Sequence, residues 1–463
     1  MLAKTAGFLG SFLVVMATAC GGGDDHGGDG NGGVDACVGL ECQVDQCQGS
    51  TRTTLTGTVY APNGTLPLYN VTVYVPRDPV DPLPAGATCD RCGQAPSGNP
   101  IALTTTDTKG EFRLEDVPAG SDIPLVIQVG KWRRQVVVPS VPKCVDTALT
   151  AEQTRLPRNQ SEGDIPQMAL TTGGADALEC LLRKIGLDDR EFTAAGGSGR
   201  VHLYAGVGGT PRFVAGLNGG ASFADAQTLW DTTAHLMPYD VTFLSCEGGQ
   251  NPSTKPASAR QALSDYTDLG GRVFMSHWHN YWVEEAPAAS QWSDVITPSS
   301  RNDLGNITAD INTSVARASD LAQWLVNVMG STTLGKIAIR DTQHTVDAVD
   351  EQRAEKWIFS PTTANGRPSV QYYQFTTPLT VDAGSRCGKV VFSDIHVSTG
   401  DDSGGNLQFP NGCTTTGLTP QEKVLAFMIF DIASCVGPPI GLTPDGDPTV
   451  DHDEPGQTEV SQR

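Results

Sequence analysis

The chain has 463 residues, of which 31 are basic and 52 are acidic, so its formal net charge is −21. No basic stripe interrupts this acidic balance, which excludes proteins that bind the phosphate backbone of nucleic acids. No stretch after the first twenty residues reaches the ~18 uninterrupted apolar residues of a membrane-spanning helix. The length suffices for two to three domains of about 150 residues each.

The first twenty residues carry the features of an export signal. Lys4 is followed by the apolar run 8–16 and by the small residues 17–19. Cys20 comes next. This arrangement resembles a bacterial lipobox, which implies a signal peptide over residues 1–19 and lipidation of Cys20. We therefore expect an exported protein that a lipid anchors in a membrane, on the periplasmic side or at the cell surface. The alternative is an ordinary secretory signal, with Cys20 as a plain thiol.

Cysteine usage agrees with export. Beyond Cys20 the chain has eleven cysteines, namely Cys37, Cys42, Cys47, Cys89, Cys92, Cys144, Cys180, Cys246, Cys387, Cys413 and Cys435. In an oxidising compartment such cysteines form disulfides, and an odd total leaves one thiol unpaired. Cys89 and Cys92 also have the spacing of half a zinc site, although no second such pair and no flanking histidine pair accompany them.

Two polar segments flank the predicted domains. Residues 20–50 begin with a Gly/Asp-rich run and continue with cysteines five residues apart, so we expect a flexible spacer that ends in a disulfide-pinned stalk. Residues 437–463 are rich in proline and acid without periodicity, which predicts a disordered tail. Calcium binding is an alternative for the acidic residues of the tail, Asp445, Asp447, Asp451 and Asp453, but the spacing of an EF-hand loop is absent.

Residues 51–148 show the period of two that is typical of β-strands. Asn63–Gly64 is a hairpin turn signal between two such runs. The segments 57–59, 106–112 and 117–120 resemble the carboxypeptidase regulatory-like family, whose members are transthyretin-like β-sandwiches. The resemblance implies an accessory module without catalytic activity.

One run within this region is unusually basic. Lys131, Arg133 and Arg134 surround Trp132 between two β-rich stretches. We predict an exposed edge strand whose charges prevent pairing with another chain. A ligand site on these residues is the alternative.

From residue 165 to 436, strands alternate with helices. The predicted strands are 201–204, 241–244, 272–275, 372–375 and 389–392, and the predicted helices are 178–185, 222–236, 258–269, 314–329 and 420–435. This alternation predicts an α/β flavodoxin-like domain with a mostly parallel sheet and helices on both faces. The sequence thus predicts a multidomain protein, in which a β-sandwich precedes an α/β domain.

Three predicted strands end in polar side chains. These are Cys246 and Glu247 after strand 241–244, His277 and His279 after strand 272–275, and Asp394 and His396 after strand 389–392. Ligands of open α/β sheets bind outside the carboxyl ends of the strands, so we expect these groups to converge in one crevice. A thiol beside an imidazole is the arrangement of a nucleophilic cysteine, and a carboxylate can orient the imidazole.

This region resembles the class I glutamine amidotransferase-like superfamily, and more narrowly its ThuA-like branch. The resemblance is carried by residues 239–244, 263–266, 269–274 and His277. Where the superfamily has its Gly-x-Cys-x-Gly nucleophile motif, this chain has Leu244, Cys246 and Gly248. The acid and histidine near the last strand, Asp394 and His396, occur in the reverse of the family's order. The resemblance implies Cys246 as the nucleophile and a nearby histidine as its base.

Cys246 and the nearby aromatic residues also have structural interpretations. Three roles are open for Cys246. It is a nucleophile, or it forms a disulfide, for example with Cys180, or it is a small residue that packs under the sheet. A sugar-stacking platform or core packing would explain the aromatic residues, which are Trp278, Tyr281, Trp282 and Trp292. We favour packing, since aromatic clusters are usually core.

The histidines are alternative metal ligands. His277 and His279 lie two apart on a segment that we predict to be extended, so they share a face. Together with Asp394 and His396 they could bind zinc or another divalent ion. Structural hydrogen bonding is the competing role. No other cofactor is expected.

Two functions remain open from the sequence. The first is an exported lipoprotein whose α/β domain binds or presents a cell-surface protein or carbohydrate ligand without turnover. The second is an exported thiol-dependent hydrolase or amidotransferase-like enzyme that uses Cys246 and a histidine. We favour the first, because the sequence shows no complete catalytic set. The second requires a free Cys246 whose sulfur lies within about 6 Å of an imidazole.

Overall fold

The computed structural model describes residues 39–299, 303–362, 366–397, 400–413 and 417–437. The predicted signal peptide, Cys20, most of the spacer and the tail from residue 438 lie outside the described residues. Every described residue belongs to one compact unit. That residues 51–148 and 165–436 are separate domains therefore stays a prediction.

Residues 54–148 fold into two sheets. Their strands are β1 (Thr54–Thr58), β2 (Thr72–Pro76), β3 (Pro100–Thr105), β4 (Glu111–Leu114), β5 (Gly120–Val129), β6 (Trp132–Val141) and β7 (Asp146–Ala148). One sheet has the order β4-β1-β7 and the other β3-β2-β5-β6. Side chains from both, such as Leu55, Val73 and Ile127, are fully buried in a common apolar cluster. The predicted all-β character of this region is confirmed.

Most of the remaining strands form a second, larger structure with the helices around it. The strands are β8 (Met168–Thr172), β9 (Phe192–Ala194), β10 (Val201–Ala205), β11 (Ala224–Asp225), β12 (Val241–Leu244), β13 (Arg272–Ser276), β14 (Ile296–Pro298), β15 (Gly305–Ile311), β16 (Lys336–Thr342), β17 (Val346–Val349), β18 (Glu355–Ser360), β19 (Ser369–Thr377) and β20 (Gly388–Ser393). The helices are α1 (Ala151–Thr154), α2 (Leu178–Lys184), α3 (Gln227–Trp230), α4 (Thr233–Leu236), α5 (Ala257–Asp268), α6 (Tyr281–Glu284), α7 (Ala316–Asn327) and α8 (Pro420–Ala433).

Within the described residues, the large sheet has eleven strands in the order β11-β10-β8-β12-β13-β20-β19-β18-β15-β16, with β9 beside β10. The strands from β11 to β20 in this order are parallel. The last four are antiparallel. Six of its ten described strand pairs are parallel, so the sheet is mixed, and the antiparallel strands at one edge are what the prediction of a mostly parallel sheet missed. Among the described residues of the connections from β18 to β19 and from β19 to β20 there is no crossover helix, and a parallel pair would need one.

Both faces of the parallel half are covered, as the alternation of elements predicts. Along β13, Val273 belongs to one apolar cluster and Phe274 to the other. Leu263 of α5 lies in the first of these clusters, and Met428 of α8 lies in the second. Because neighbouring residues of a strand point to opposite faces, this partition shows that helices lie on both sides of the sheet.

The predicted helix over 222–236 is wrong. Strand β11 and two single-turn helices, α3 and α4, occupy this segment. The Asp225 carboxylate accepts a hydrogen bond from the backbone N–H of Gln227 at 2.8 Å. Asp225 thus satisfies a free N–H at the start of α3 and does not close a capping box with Ser222.

Four disulfides are described, and they confirm the prediction of disulfide bonding. They are Cys47–Cys144, Cys89–Cys387, Cys92–Cys435 and Cys180–Cys413. Cys89 and Cys92 are therefore not zinc ligands, because each sulfur is bonded to a distant cysteine. Such bonds are typical of proteins that fold outside the cytoplasm. None of the helices in the described segments is long and apolar enough to cross a membrane.

Strand β6 lies at the edge of its sheet, as predicted, but the basic run at its start is buried, which corrects the prediction that this run is exposed. Lys131, Trp132 and Arg133 are each less than a tenth exposed. The Lys131 ammonium donates to the Asp240 carboxylate at 2.5 Å, immediately before β12. Arg133 pairs with Asp164 at 2.9 Å. The charges therefore join the smaller sheets to the large one, and sequence pattern alone does not reveal such distant partners.

Candidate functional site

Three loops meet at the carboxyl ends of neighbouring parallel strands. Cys246 follows β12, His277 follows β13, and His396 follows β20. Leu244 is paired with Met275, and Ser276 with Ser393, so the three strands end at the same level. The predicted convergence of these three residues is therefore present in the structure.

Cys246 lies against His277. Its Sγ is 3.4 Å from Nδ1 of His277, and the backbone N–H of Gly248 donates to the same sulfur at 3.4 Å. Among the described cysteines, Cys246 alone carries a free thiol. The alternative of a disulfide with Cys180 is wrong, since Cys180 is bonded to Cys413.

His396 completes a cluster of three. Its ring centroid is 5.1 Å from that of His277. One ligand atom from each of Cys246, His277 and His396 lies within 4.8 Å of the other two. The Nε2 atom of His396 is buried and has no hydrogen-bond partner. A buried polar atom without a partner is costly, so it needs an explanation, such as a bound ion or water.

His279 does not join the cluster. The chain turns into a 3-10 helix over His277–Asn280, and His277 itself has a φ of +41°. The two histidines therefore do not share a face, as an extended segment would require. The His279 ring instead accepts a hydrogen bond from the Trp282 indole and contacts the backbone oxygen of Ser245, both at 2.9 Å. Burial lowers the pKa of His279 to about 4. His279 is thus a structural residue.

Asp394 likewise does not belong to the cluster, although the sequence predicts it as a metal ligand. Its carboxylate accepts hydrogen bonds from the Thr345 backbone N–H at 2.8 Å and from the Thr345 hydroxyl at 2.9 Å. Burial raises the pKa of Asp394 to about 7, against the opposing effect of these hydrogen bonds. Because its described partners are on Thr345, the carboxylate holds the segment before β17 and does not orient an imidazole.

Glu247 has a structural partner as well. Its carboxylate accepts from Lys255 at 2.5 Å and from the Val207 backbone N–H at 3.1 Å. Burial favours the neutral acid, but the Coulombic interactions with His279 and with the Lys255 ammonium hold the pKa of Glu247 below its usual range. This buried ion pair fixes the turn after Cys246.

Sequence reasoning missed Asp176. This buried residue follows β8, and its carboxylate accepts from the Ser276 hydroxyl at 2.6 Å and from the Val397 backbone N–H at 2.9 Å. Ser276 precedes His277, and Val397 follows His396. One carboxylate therefore holds both histidine-bearing loops. The sequence feature that could have identified Asp176 is its position just after Gly173–Gly174, where strand 168–172 ends.

The dyad of Cys246 and His277 is uncharged at neutral pH. Burial raises the pKa of the Cys246 thiol to about 12, although the backbone N–H groups of Trp278 and Gly248 favour the thiolate. Burial also lowers the pKa of His277 to about 2, and the neighbouring His396 adds to this effect. The pair is therefore a neutral thiol beside a neutral imidazole and not a thiolate–imidazolium pair.

The neighbouring aromatic residues form packing, as expected. Trp282 and Trp292 are each 1% exposed. Trp282 contacts Trp230 edge-on with centroids 5.1 Å apart, and Trp292 contacts Phe375 at 5.5 Å. Side chains so deeply buried cannot form a sugar-stacking platform.

No family model matches the chain, and no curated protein matches it. A solved structure described as a ThuA-like protein from Bacteroides uniformis ATCC 8492 is similar, with 8% identity over 57% of this chain and 89% of that chain, at a TM-score of 0.32. A cytoplasmic protein from Salmonella typhimurium LT2 has 11% identity over 58% of this chain and 99% of that chain, at a TM-score of 0.31. A ThuA-like protein is thus among the structural neighbours, as the sequence resemblance predicts, but TM-scores near 0.3 carry no argument about activity.

Proposed function

We propose that the chain is an exported, lipid-anchored protein with a non-catalytic binding or presentation role, in which the β-sandwich supports the α/β region. The four disulfides support export to an oxidising compartment. The lipobox-like run before Cys20 supports the anchor. A protein or carbohydrate ligand stays a prediction from the sequence.

Replacing Cys20 with alanine tests the anchor. We expect the unaltered chain in the membrane fraction and Cys20→Ala in the soluble fraction, because the diacylglyceryl group supplies the membrane affinity. Cell fractionation followed by immunoblotting measures the distribution. Cys246→Ser is the matched control and should stay with the membranes. Membrane association of Cys20→Ala equal to that of the unaltered chain would show that the anchor is wrong.

The enclosure of the Cys246 sulfur carries the proposal of a non-catalytic role. Cys246 is 0% exposed, so a substrate cannot reach the sulfur without movement of a loop. The backbone conformation with positive φ belongs to His277 and not to Cys246, whereas a strained elbow normally exposes a nucleophile. The described partners of Asp394 leave the dyad without the predicted carboxylate. A nucleophilic triad is therefore absent from the described residues.

One observation favours the second candidate function, a thiol-dependent hydrolase. The distance of 3.4 Å between Sγ and Nδ1 is well inside the reach that the nucleophile hypothesis requires. In that mechanism, the imidazole of His277 takes the thiol proton while the sulfur attacks a carbonyl carbon. The raised pKa of the thiol opposes this step in the resting protein.

Thiol alkylation separates these two functions. We expect Cys246 in the metal-free native chain to react with iodoacetamide at pH 7.5 far more slowly than a free cysteine, because the thiolate is scarce and the sulfur is buried. Mass spectrometry of the alkylated peptide measures the rate, and Cys246→Ser supplies the blank. After unfolding without reduction, the same thiol should react fully. Fast alkylation of the native chain would instead favour the hydrolase.

A further inference from the structure

We propose that Cys246, His277 and His396 form a zinc site with one thiolate and two imidazole ligands. This inference names the ligand of the candidate site, and it rests on the proposed binding role. It differs from the metal set that the sequence indicates, because His279 and Asp394 are excluded and the thiol is included.

The distances fit the ion. Zinc binds cysteine sulfur at about 2.3 Å and histidine nitrogen at about 2.0–2.1 Å, so two such ligands of a tetrahedral ion lie about 3.5 Å apart. The measured separation between Sγ of Cys246 and Nδ1 of His277 is 3.4 Å. All three ligand atoms lie within 4.8 Å of one another.

The chemistry of the three groups fits as well. Thiolate and imidazole are among the ligands that zinc prefers, and both Cys246 and His277 are buried. Binding converts the thiol and the ion into a sulfur–zinc bond and releases the thiol proton to solvent. The unpartnered Nε2 of His396 is an independent indication, because a metal ion would satisfy this otherwise costly buried atom.

The surrounding structure holds the ligands in place. Asp176 fixes the residues next to His277 and His396 through its two carboxylate oxygens. Outer partners of this kind orient metal ligands, and they are part of most protein metal sites. Three protein ligands leave the fourth position of a tetrahedron for water or for a bound molecule. His396 is the least buried of the three ligands.

Cobalt binding tests the site, because a cobalt–thiolate bond absorbs in the near ultraviolet. The full chain is freed of metal with a chelator and titrated with Co²⁺. We expect one equivalent to produce the thiolate charge-transfer band and Zn²⁺ to abolish it by displacement. Elemental analysis of the dialysed zinc form should give one zinc ion for each chain.

Ligand variants make the assignment specific. Cys246→Ser should lose the band completely. His396→Asn should weaken Co²⁺ binding by at least about 100-fold, since even loss of an outer partner costs about 10- to 100-fold in affinity. His235→Asn is the matched control, because His235 is exposed and lies 2.6 Å from the Asp231 carboxylate, as in an incidental surface site. This control should bind Co²⁺ like the unaltered chain. Near-ultraviolet circular dichroism verifies that each variant is folded.

Absence of the band in the folded, unaltered chain, or its persistence in Cys246→Ser, overturns the zinc site. If the metal-free chain is alkylated slowly and also binds no Co²⁺, only the zinc site is refuted, and the non-catalytic binding role stands. A metal-free thiol that is alkylated rapidly would refute the non-catalytic role, while the cobalt titration still decides the zinc site by itself.

Discussion

Replacing Lys131 with methionine is expected to lower the free energy of unfolding by about 3–5 kcal/mol at pH 7. The Lys131 ammonium lies 2.5 Å from the Asp240 carboxylate, and both side chains are less than a tenth exposed. It also donates to the backbone oxygen of Gly86 at 2.6 Å. Methionine preserves most of the volume but leaves a carboxylate without its cation in a buried position. Urea denaturation with the disulfides intact measures the loss.

The pH dependence of this loss identifies its cause. Burial raises the pKa of Asp240, and Lys131 opposes that effect. In Lys131→Met the pKa of Asp240 in the folded chain should rise further above its value in the unfolded chain. The variant then loses stability as the pH rises from the pKa of Asp240 in the unfolded chain through its pKa in the folded chain. The loss in free energy of unfolding relative to the unaltered chain should therefore be smaller at pH 4 than at pH 8.

Two further variants control this experiment. Adding Asp240→Asn to Lys131→Met should restore most of the stability, because asparagine still accepts the hydrogen bond that the Gln167 backbone N–H donates at 2.6 Å. Lys143→Met removes an exposed ammonium that lies 3.5 Å from Asp45, and it should change the stability by less than about 1 kcal/mol. Equal losses in Lys131→Met and Lys143→Met would contradict the structural role of the buried pair.

Removing both disulfides of the loop between β2 and β3 is expected to destabilise the chain by more than the sum of the two single removals. Cys89–Cys387 and Cys92–Cys435 span 298 and 343 residues. While one of them remains, the other closes a loop of only about 50 residues in the unfolded chain, because the surviving bond already joins the distant segments. Each single removal should therefore cost about 2–4 kcal/mol.

Loop entropy explains why removing both disulfides should cost more stability than the sum of the two single removals. With neither bond present, a loop of about 120 residues that runs through the intact Cys180–Cys413 disulfide is no longer closed, which adds about 0.7 kcal/mol beyond additivity. Alanine replacements of each pair, and of both together, can be compared by thermal and urea unfolding in a double-mutant cycle. Alanine replacement of Cys47 and Cys144, which are bonded in a different part of the chain, should be more nearly additive with either pair. Strict additivity within the loop would refute this explanation.

The sequence predicts the strands around the site more closely than it predicts the site chemistry. The strand over 241–244 is present with the same bounds, the strand over 272–275 is one residue longer at its end, and the strand over 389–392 is one residue longer at each end. Continuous apolar runs of this length are typical of buried parallel strands. The predicted meeting of Cys246, His277 and His396 follows from the shared direction of these strands.

The errors concern features that depend on distant contacts. The turn at His277 separates the directions of His277 and His279, and a period-two pattern cannot foresee a residue with positive φ. The burial of Lys131 and the role of Asp176 depend on partners that are far away in sequence. Such partners leave little trace in local periodicity.

The position of Asp176 has a mechanical consequence. Its single carboxylate is bonded to the loops on either side of the cluster, through Ser276 and Val397. A displacement of either loop pulls on the carboxylate to which the other loop is bonded. The loops that carry His277 and His396 should therefore move together.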